Sequence, residues 1–273
     1  TGFESDGFAL GDDVIVNTNN ESYVGWQWKA NGSGSSNEDG SINTTATSAN
    51  TTAGFSVSTY TGNATVGATV GHGLGIAPKV VIVKSRSGAS AESWVFGHDS
   101  VGWTKAMYMQ STVAPYTLDI YWNNTAPTSS VVTLHDHPVT NGSSYTYVMY
   151  AFAEIPGYSS FGSYTGNGST DGPFVYTGFS PKYILYKRTS GGTGNWNILD
   201  TERDPINVAD AVLAADTTTA ETTYATIKID MLSNGYKIRG TQTNLNASGS
   251  TYIYMAFAEH PFGGEDIAPA TAR

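Results

Sequence analysis

Short apolar runs recur along the chain, and turn residues separate them. Lys79-Val80-Val81-Ile82-Val83-Lys84 and Lys182-Tyr183-Ile184-Leu185-Tyr186-Lys187 are apolar at every position between their lysines, as strands buried on both faces are. Asn-Gly and Asp-Gly pairs, such as Asn141-Gly142 and Asp171-Gly172, are typical of tight turns between strands. The pattern predicts an all-β protein, with one short helix over residues 205–215.

A repeat of about a hundred residues organises these runs. Tyr60-Thr61-Gly62-Asn63 returns 104 residues later as Tyr164-Thr165-Gly166-Asn167, and Phe152-Ala153-Glu154 returns 105 residues later as Phe257-Ala258-Glu259. The near-constant offset leaves room only for short loop insertions. We therefore expect two tandem homologous β-sandwich units with a jelly-roll-like form, at 54–157 and 160–262, and a C-terminal tail at 263–273.

The beginning of the chain carries the end of a third copy. Tyr23-Val24-Gly25-Trp26-Gln27-Trp28 has the pattern of residues 147–152 and 252–257, and an asparagine lies six residues before each of the three. Residues 1–30 are thus predicted to form an orphan N-terminal strand pair, and residues 31–53, rich in Gly, Ser, Asn and Thr, a flexible linker. The apolar side chains expected to complete a β-core, and so to act in assembly, are Phe8, Leu10, Val14, Val16, Val24, Trp26 and Trp28.

Four fates of this strand pair stay open at the level of sequence. Residues before Thr1 could complete a third unit, the pair could dock on the first unit of the same chain, it could insert into a neighbouring chain, or it could fray. Leaving two tryptophans in water is the outcome that the hydrophobic effect disfavours most.

Composition excludes several classes of partner. The net charge is −10, and only 13 Lys and Arg residues are spread along the chain, which argues against nucleic acid and against anionic membrane surfaces. No apolar stretch approaches the roughly 18–20 residues of a membrane-spanning helix. Without cysteine the chain has neither disulfides nor thiolate metal sites.

Nine Asn-X-Ser/Thr sequons are possible glycosylation sites in an exported protein. They begin at Asn20, Asn31, Asn43, Asn50, Asn63, Asn123, Asn141, Asn167 and Asn246.

Few residues indicate catalysis or metal binding. His135-Asp136-His137 has two rings at metal-ligand spacing, but no third ligand is indicated. His72 and His98 lack a serine in a nucleophile elbow. Glu154 and Glu259 would have to meet in one cleft to act as glycosidase carboxylates. We therefore predict no catalytic, cofactor-binding or metal-binding residue and no cofactor.

Four strings together resemble a family of tandem β-rich domains in predicted phage virion and tail-fibre-like proteins, many from aquatic environments. They are Gly73-Leu74-Gly75-Ile76-Ala77-Pro78-Lys79-Val80, residues 122–131, residues 161–168 and residues 252–262. The resemblance covers nearly the whole chain and transfers no catalytic residue.

The resemblance and the unsatisfied strand pair lead us to expect a non-enzymatic structural subunit. It would belong to an extracellular or virion-surface fibre or appendage, with other copies of itself as partners. One alternative is a receptor- or glycan-binding tip module that contacts surface glycans, for which Trp103 and Trp122 would form an exposed groove. The second alternative is a polysaccharide hydrolase.

Overall fold

The computed structural model describes residues 2–4, 7–88 and 93–258, and it confirms the all-β prediction. All paired strands are antiparallel, apart from one isolated parallel bridge. The described helices are three single turns of four residues each. None of them is long enough to cross a membrane.

The N-terminal segment is less regular than the sequence predicts. Two-residue strands, β1 (Gly2–Phe3) and β2 (Phe8–Ala9), pair with each other and precede the helical turn α1 (Val14–Asn17). Residues 21–30 form no strand. The predicted strand pair over residues 5–29 is therefore wrong in its second strand, because no neighbouring strand is there to pair with its backbone.

The predicted flexible linker is also wrong where it matters most for the fold. Residues 44–50 form β3 (Thr44–Asn50), which pairs along its length with β4 (Phe55–Thr61). Thr47 and Ser48 are buried despite their polarity, and the Thr47 hydroxyl lies 2.9 Å from that of Ser58 on β4. Small hydroxyl side chains bond to each other across the two strands, so a polar composition does not prevent a strand here.

The remaining elements of the two units follow in chain order. Those of the first are β5 (Ala68–Gly71), β6 (Val80–Ser85), β7 (Trp94–His98), β8 (Lys105–Ala106), β9 (Tyr116–Thr117), β10 (Val131–Leu134), α2 (Pro138–Asn141) and β11 (Thr146–Phe152). Those of the second are β12 (Ser159–Thr165), β13 (Phe174–Tyr176), β14 (Pro181–Arg188), β15 (Trp196–Asp200), β16 (Ala211–Ala214), β17 (Thr222–Thr223), β18 (Ile229–Leu232), β19 (Gly235–Ile238), α3 (Thr243–Asn246) and β20 (Thr251–Ala258).

Each unit has one large sheet with a smaller sheet beside it, and the first unit also has the two-stranded sheet β8-β9. The large sheets have the orders β3-β4-β11-β6-β7 and β12-β20-β14-β15-β16-β17, and the small sheets β10-β5 and β13-β19-β18. β4, β11, β6 and β7 of the first unit thus answer β12, β20, β14 and β15 of the second in the same order. The domain bounds drawn from the sequence stay a prediction.

Three large apolar cores and one small cluster of Leu74, Ala151 and Ala153 hold this arrangement together. Val81 and Val83 of β6 face the core inside the first unit, and Ile184 and Tyr186 of β14 face the core inside the second. The alternate residues of the same strands join a central core between the two large sheets, because successive side chains of a strand point to opposite faces. The all-apolar strands are therefore buried on both faces, as their sequence predicts.

The helix predicted over residues 205–215 is not formed. Residues 211–214 are the strand β16, which pairs with β15, and no helix occurs in residues 205–210. Asp204 accepts hydrogen bonds from the amides of Asp210 and Ala211, each at 2.8 Å, and so orders the chain for entry into the strand. Tertiary pairing overrides a weak helical pattern here.

Candidate functional site

A tyrosine braces the helical turn at the end of each of the three copies. In the second unit, the Tyr252 hydroxyl donates to the carbonyl of Thr243 at 2.6 Å and accepts from the amide of Ala247 at 2.8 Å. The same two bonds occur in the other copies. Their members are Tyr147, Pro138 and Gly142 in the first unit, and Tyr23, Val14 and Thr18 in the N-terminal segment.

The asparagine six residues before each tyrosine has a different environment in the N-terminal segment than in the two units. Asn141 and Asn246 are fully buried, and each accepts a hydrogen bond from a backbone amide of the first strand's loop, that of Asn63 or Asn167. Asn17 is exposed, and among the described residues its side chain bonds only to the carbonyl of Gly11. The N-terminal segment thus has the local structure of a unit's end, but no described strand encloses it.

The first part of this segment is an exposed apolar surface, which we call the N-terminal apolar surface. Val14 is 71% exposed and Ile15 is more exposed still, while Phe8, Leu10 and Val16 are 41%, 45% and 38% exposed. The members of the predicted assembly set that lie on it are Phe8, Leu10, Val14 and Val16. Contiguous apolar exposure of this kind is typical of a surface that binds a partner.

The second part of the segment packs into the central core of its own chain. Val24, Trp26 and Trp28 are partly buried, with exposed residues between them, so the predicted period of two is present in an extended segment. The Trp28 ring lies 5.3 Å from that of Phe257 and 6.3 Å from that of Phe152, the residues at the equivalent position of the two units. The three equivalent positions therefore meet in one core.

Trp26 anchors the segment to the second unit. Its ring centroid is 5.5 Å from that of Tyr183, and the Arg203 guanidinium lies 5.9 Å from the ring. Arg203 is fixed in turn by an ion pair with the buried Asp200, with 2.8 Å between Nε and Oδ2. The predicted assembly set thus divides into an anchor in cis, from Val24 to Trp28, and an exposed surface, from Phe8 to Val16.

The outer sheet edges of the first unit are covered by residues 41–50. β3 covers β4, and the amide of Ile42 donates to the carbonyl of Thr69 on β5 at 2.9 Å. Ser41 and Thr69 bond to each other through amide and hydroxyl groups as well. An uncovered edge is a template for pairing with another chain, and in the first unit residues 41–50 cover the outer sides of β4 and β5.

The corresponding edges of the second unit have no covering strand among the residues that the structure describes. On β12 the outward amide of Phe161 donates to the carboxylate of Glu154 at 2.9 Å, which occupies part of that edge. β13 pairs with β19 on one side only, and its Phe174 and Tyr176 side chains are 46% and 57% exposed. We call β13 with these two side chains the β13 edge. Sequence reasoning did not identify it, although the aromatic run after Asp171-Gly172-Pro173 is a strand signal.

The four histidines among the described residues make structural hydrogen bonds. His72 and His98 are fully buried, and in each the Nδ1 atom accepts from an amide two residues later, as N-capping side chains do. Burial lowers the pKa of both, that of His98 to about 4. His137 caps α2 through Val139, and His135 Nδ1 pairs with Asp136. No group of three metal-ligating side chains converges in the described ranges.

The glycan groove and some of the sequons are contradicted. Trp103 and Trp122 are buried in the core of the first unit, with their rings 5.5 Å apart, and form no exposed groove. Asn141 and Asn246 are buried and hydrogen-bonded, so neither can carry a glycan in the folded chain. Glu259, one of the two candidate carboxylates, lies outside the described residues.

Comparison with known proteins gives a family without an assigned activity. No curated protein and no solved structure matches the chain. A family described as a domain of unknown function (DUF7483) matches residues 1–261. The match spans the N-terminal segment and both units, and on that basis the chain belongs to the family described as domain of unknown function DUF7483.

Proposed function

We propose that the chain is a non-enzymatic structural subunit of an extracellular or virion-associated fibre or appendage. Copies associate head to tail, with the N-terminal apolar surface of one copy on the β13 edge of the next. The observation that carries this proposal is the pairing of two complementary features in one chain. An apolar segment is exposed to solvent, and among the described residues the second unit has nothing paired to the outer side of β13, whereas Ile42 pairs with the corresponding strand β5 of the first.

The chemistry of the two surfaces fits strand addition. β2 has the position in its copy that β10 and β19 have in theirs, and each of those strands pairs with a β5 or β13 strand. A strand added to β13 would gain main-chain hydrogen bonds, and Phe8 and Leu10 would cover Phe174. Burial of apolar surface contributes about 25 cal/mol per Å², which favours closing both surfaces at once.

The geometry of such a contact favours a polymer. The two surfaces are different patches, at residues 8–16 and 174–176, so the contact is heterologous rather than two-fold symmetric. A heterologous contact repeats from copy to copy and builds an open filament or a ring. The resemblance to tail-fibre-like proteins and the low charge content support a structural role in the same direction.

Complementary variants test the proposal. Variant S carries Phe8→Ser and Leu10→Ser, which removes the two apolar side chains that would cover Phe174 but leaves the β13 edge intact. Variant E carries Phe174→Lys, which places a charge on the edge but leaves the apolar surface intact. By sedimentation velocity we expect the parent chain to form species that grow with concentration, and each variant alone to be monomeric. An equimolar mixture of S and E should give heterodimers and nothing larger.

A matched control keeps the outcome specific. Ile206 is 81% exposed and lies on neither surface, so Ile206→Ser should associate as the parent does. A parent chain that stays monomeric at high concentration would contradict the proposal. So would an S variant that associates as well as the parent.

A further inference from the structure

The second unit contains a polar cleft of about 180 Å³ that opens beside β15, β16 and β17. Its lining carries no charged side chain, and the residues that matter for its chemistry are Asn197, Ala214, Thr222, Tyr224, Gln242 and Asn244. The volume is below the roughly 300–1,000 Å³ of pockets that hold drug-sized ligands, so a single small ring is the size that fits.

The same place in the first unit is filled. Val95 lies opposite Tyr108 in the first unit, and Asn197 lies opposite Ala214 in the second. Tyr108 is therefore the equivalent of Ala214. Likewise, Tyr116 lies opposite Ala106 and Thr222 lies opposite Val212, so Tyr116 is the equivalent of Thr222. Two tyrosines of the first unit are thus replaced by alanine and threonine in the second, and the space that their rings would occupy is the cleft.

The tyrosines of the first unit form a closed cluster. The Tyr108 hydroxyl lies 3.1 Å from that of Tyr116 and 2.5 Å from that of Tyr121. Burial raises the pKa of Tyr108 and of Tyr116 to about 12, so the cluster stays neutral at physiological pH. The first unit therefore uses this position for packing.

A fixed amide network forms one side of the cleft. Asp216 accepts from the Nδ2 group of Asn195 at 3.3 Å and from the amide of Trp196 at 3.1 Å. Asn195 then accepts from the Nδ2 group of Asn244 at 3.3 Å, and its carbonyl accepts from that of Asn197 at 3.2 Å. These bonds hold the amides in place before any ligand arrives, which lowers the entropic cost of binding.

The network leaves hydrogen-bonding groups unused within the described part of the chain. Asn197 is only 3% exposed, and its Oδ1 atom, which is not fully buried, accepts no hydrogen bond from the described residues. The Oδ1 atom of Asn244 and the Nε2 group of Gln242 have none either, since their other amide atoms make the bonds. A nearly buried acceptor without a partner costs free energy unless water or a ligand bonds to it.

We propose that this cleft binds one ring of a neutral saccharide. Free amide donors and acceptors suit hydroxyl groups, each of which both donates and accepts. The partly exposed ring of Tyr224 and the Ala214 methyl offer an apolar surface to the C–H face of a sugar. The absence of charge from the lining disfavours phosphorylated or carboxylated ligands. The site is separate from the two association surfaces and does not depend on the proposed assembly.

The test is a titration of the full chain by ¹H–¹⁵N NMR with D-glucose, D-galactose, D-mannose, N-acetyl-D-glucosamine and their disaccharides, with glycine as a neutral control. At least one sugar should shift the side-chain amide signals of Asn197, Gln242 and Asn244 saturably, with a dissociation constant on the order of 1 mM or tighter. Glycine should not. If none of the sugars shifts these signals, the proposal is wrong.

Variants that copy the first unit's tyrosines identify the site. Ala214→Tyr with Thr222→Tyr should refill the cleft and abolish the shifts, whereas Thr223→Tyr, at the exposed neighbouring position outside the lining, should leave binding unchanged. Asn244→Ala removes one ligand contact without adding bulk and should weaken binding by about five- to tenfold. A refilled, folded variant that binds like the parent, or an Asn244→Ala chain with unchanged affinity, would overturn the assignment.

Discussion

Ile42 and β3 cover the outer sides of β5 and β4 in the first unit, whereas β13 in the second unit has no strand on its outer side among the described residues. The same contrast holds at the polar cleft of the second unit, which is lined by Ala214 and Thr222. In the first unit, Tyr108 and Tyr116 occupy the equivalent positions and fill the space. Two units with the same strand order thus differ at these two places: the first covers or fills them with its own residues, and the second leaves them open among the described residues.

The central core explains how such a difference is tolerated. Residues of both large sheets and of the N-terminal segment share it. The second unit therefore buries apolar side chains against the first unit, and its stability depends less on covering its own sheet edges. Trp28, Phe152 and Phe257 meet there from three equivalent positions. Stability is thus shared across the chain, while the accessible surfaces are confined to particular places.

The largest difference between equivalent residues is expected at the two tryptophans that begin β7 and β15. Trp196 is buried, and its Nε1 group donates to the carbonyl of Tyr108 at 2.8 Å, whereas Trp94 is 36% exposed. Trp196→Ala should lower the free energy of unfolding by about 3–5 kcal/mol, and Trp94→Ala by about 1 kcal/mol. Denaturant unfolding of both variants measures this, and equal losses would contradict the central core's role.

The next effect is a pH dependence that belongs to the first unit. Burial lowers the pKa of His98 from 6.5 to about 4, and its Nε2 atom lies 3.3 Å from the carbonyl of Tyr254 in the second unit. The unfolded chain therefore binds a proton between these pH values that the folded chain excludes, and stability falls as the pH drops from 6.5 to 4. The loss should be about 2–3 kcal/mol.

A His98→Gln variant isolates this contribution. Between pH 6.5 and 4 the free energy of unfolding should fall less in this variant than in the parent chain, because the contribution of His98 is absent. The carboxylates, which both chains share, titrate in both. Chemical denaturation of the two chains across the pH range makes the comparison. An identical pH profile for both would show that His98 is not the group responsible.

A smaller effect compares the three braced helical turns. The rings of Tyr147 and Tyr252 are buried, and replacing either tyrosine with phenylalanine leaves a backbone amide without its acceptor. Each substitution should lower the free energy of unfolding by about 1–3 kcal/mol. Tyr23→Phe makes the same change at an exposed position and should cost less than about 0.5 kcal/mol. Thermal unfolding of the three variants ranks them, and a large loss for Tyr23→Phe would mean that the N-terminal turn is enclosed in solution.

The smallest effect is expected at the equivalent lysines before β6 and within β14. The Nζ atom of Lys79 lies 3.7 Å from Oε1 of Glu154, and that of Lys182 lies 2.9 Å from Oε2 of Glu202. All four side chains are well exposed. Lys79→Ala and Lys182→Ala should each change the unfolding free energy by less than about 1 kcal/mol, since exposed ion pairs contribute little. A loss of several kcal/mol at either site, measured by urea unfolding, would show that these ends are less solvated than the structure indicates.

Much of the fold could be predicted from apolar pattern and repetition. The runs at 79–84 and 182–187 are strands buried on both faces, and the alternation at Val24, Trp26 and Trp28 matches their burial. The strand β3 escaped prediction because its buried side chains are small hydroxyls, whose fit depends on Ser58 across the sheet. Local composition cannot reveal such a partner.

The candidate sites were harder to predict. The set from Phe8 to Trp28 reads as one apolar pattern, but only tertiary packing separates the anchored tryptophans from the exposed residues. The cleft depends on substitutions between equivalent strands, Tyr108 to Ala214 and Tyr116 to Thr222, that become equivalent only once cross-strand register is known. Trp103 and Trp122 misled because an aromatic residue in sequence does not reveal whether it is buried.

Amide hydrogen exchange of the full chain at low and high concentration tests most directly the claim that the second unit is the open one. The account predicts that exchange at Phe174–Tyr176 slows as concentration rises, while exchange at Ala68–Gly71, already covered by residues 41–42, does not change. Concentration-independent exchange at Phe174–Tyr176, under conditions where the chain associates, would contradict it.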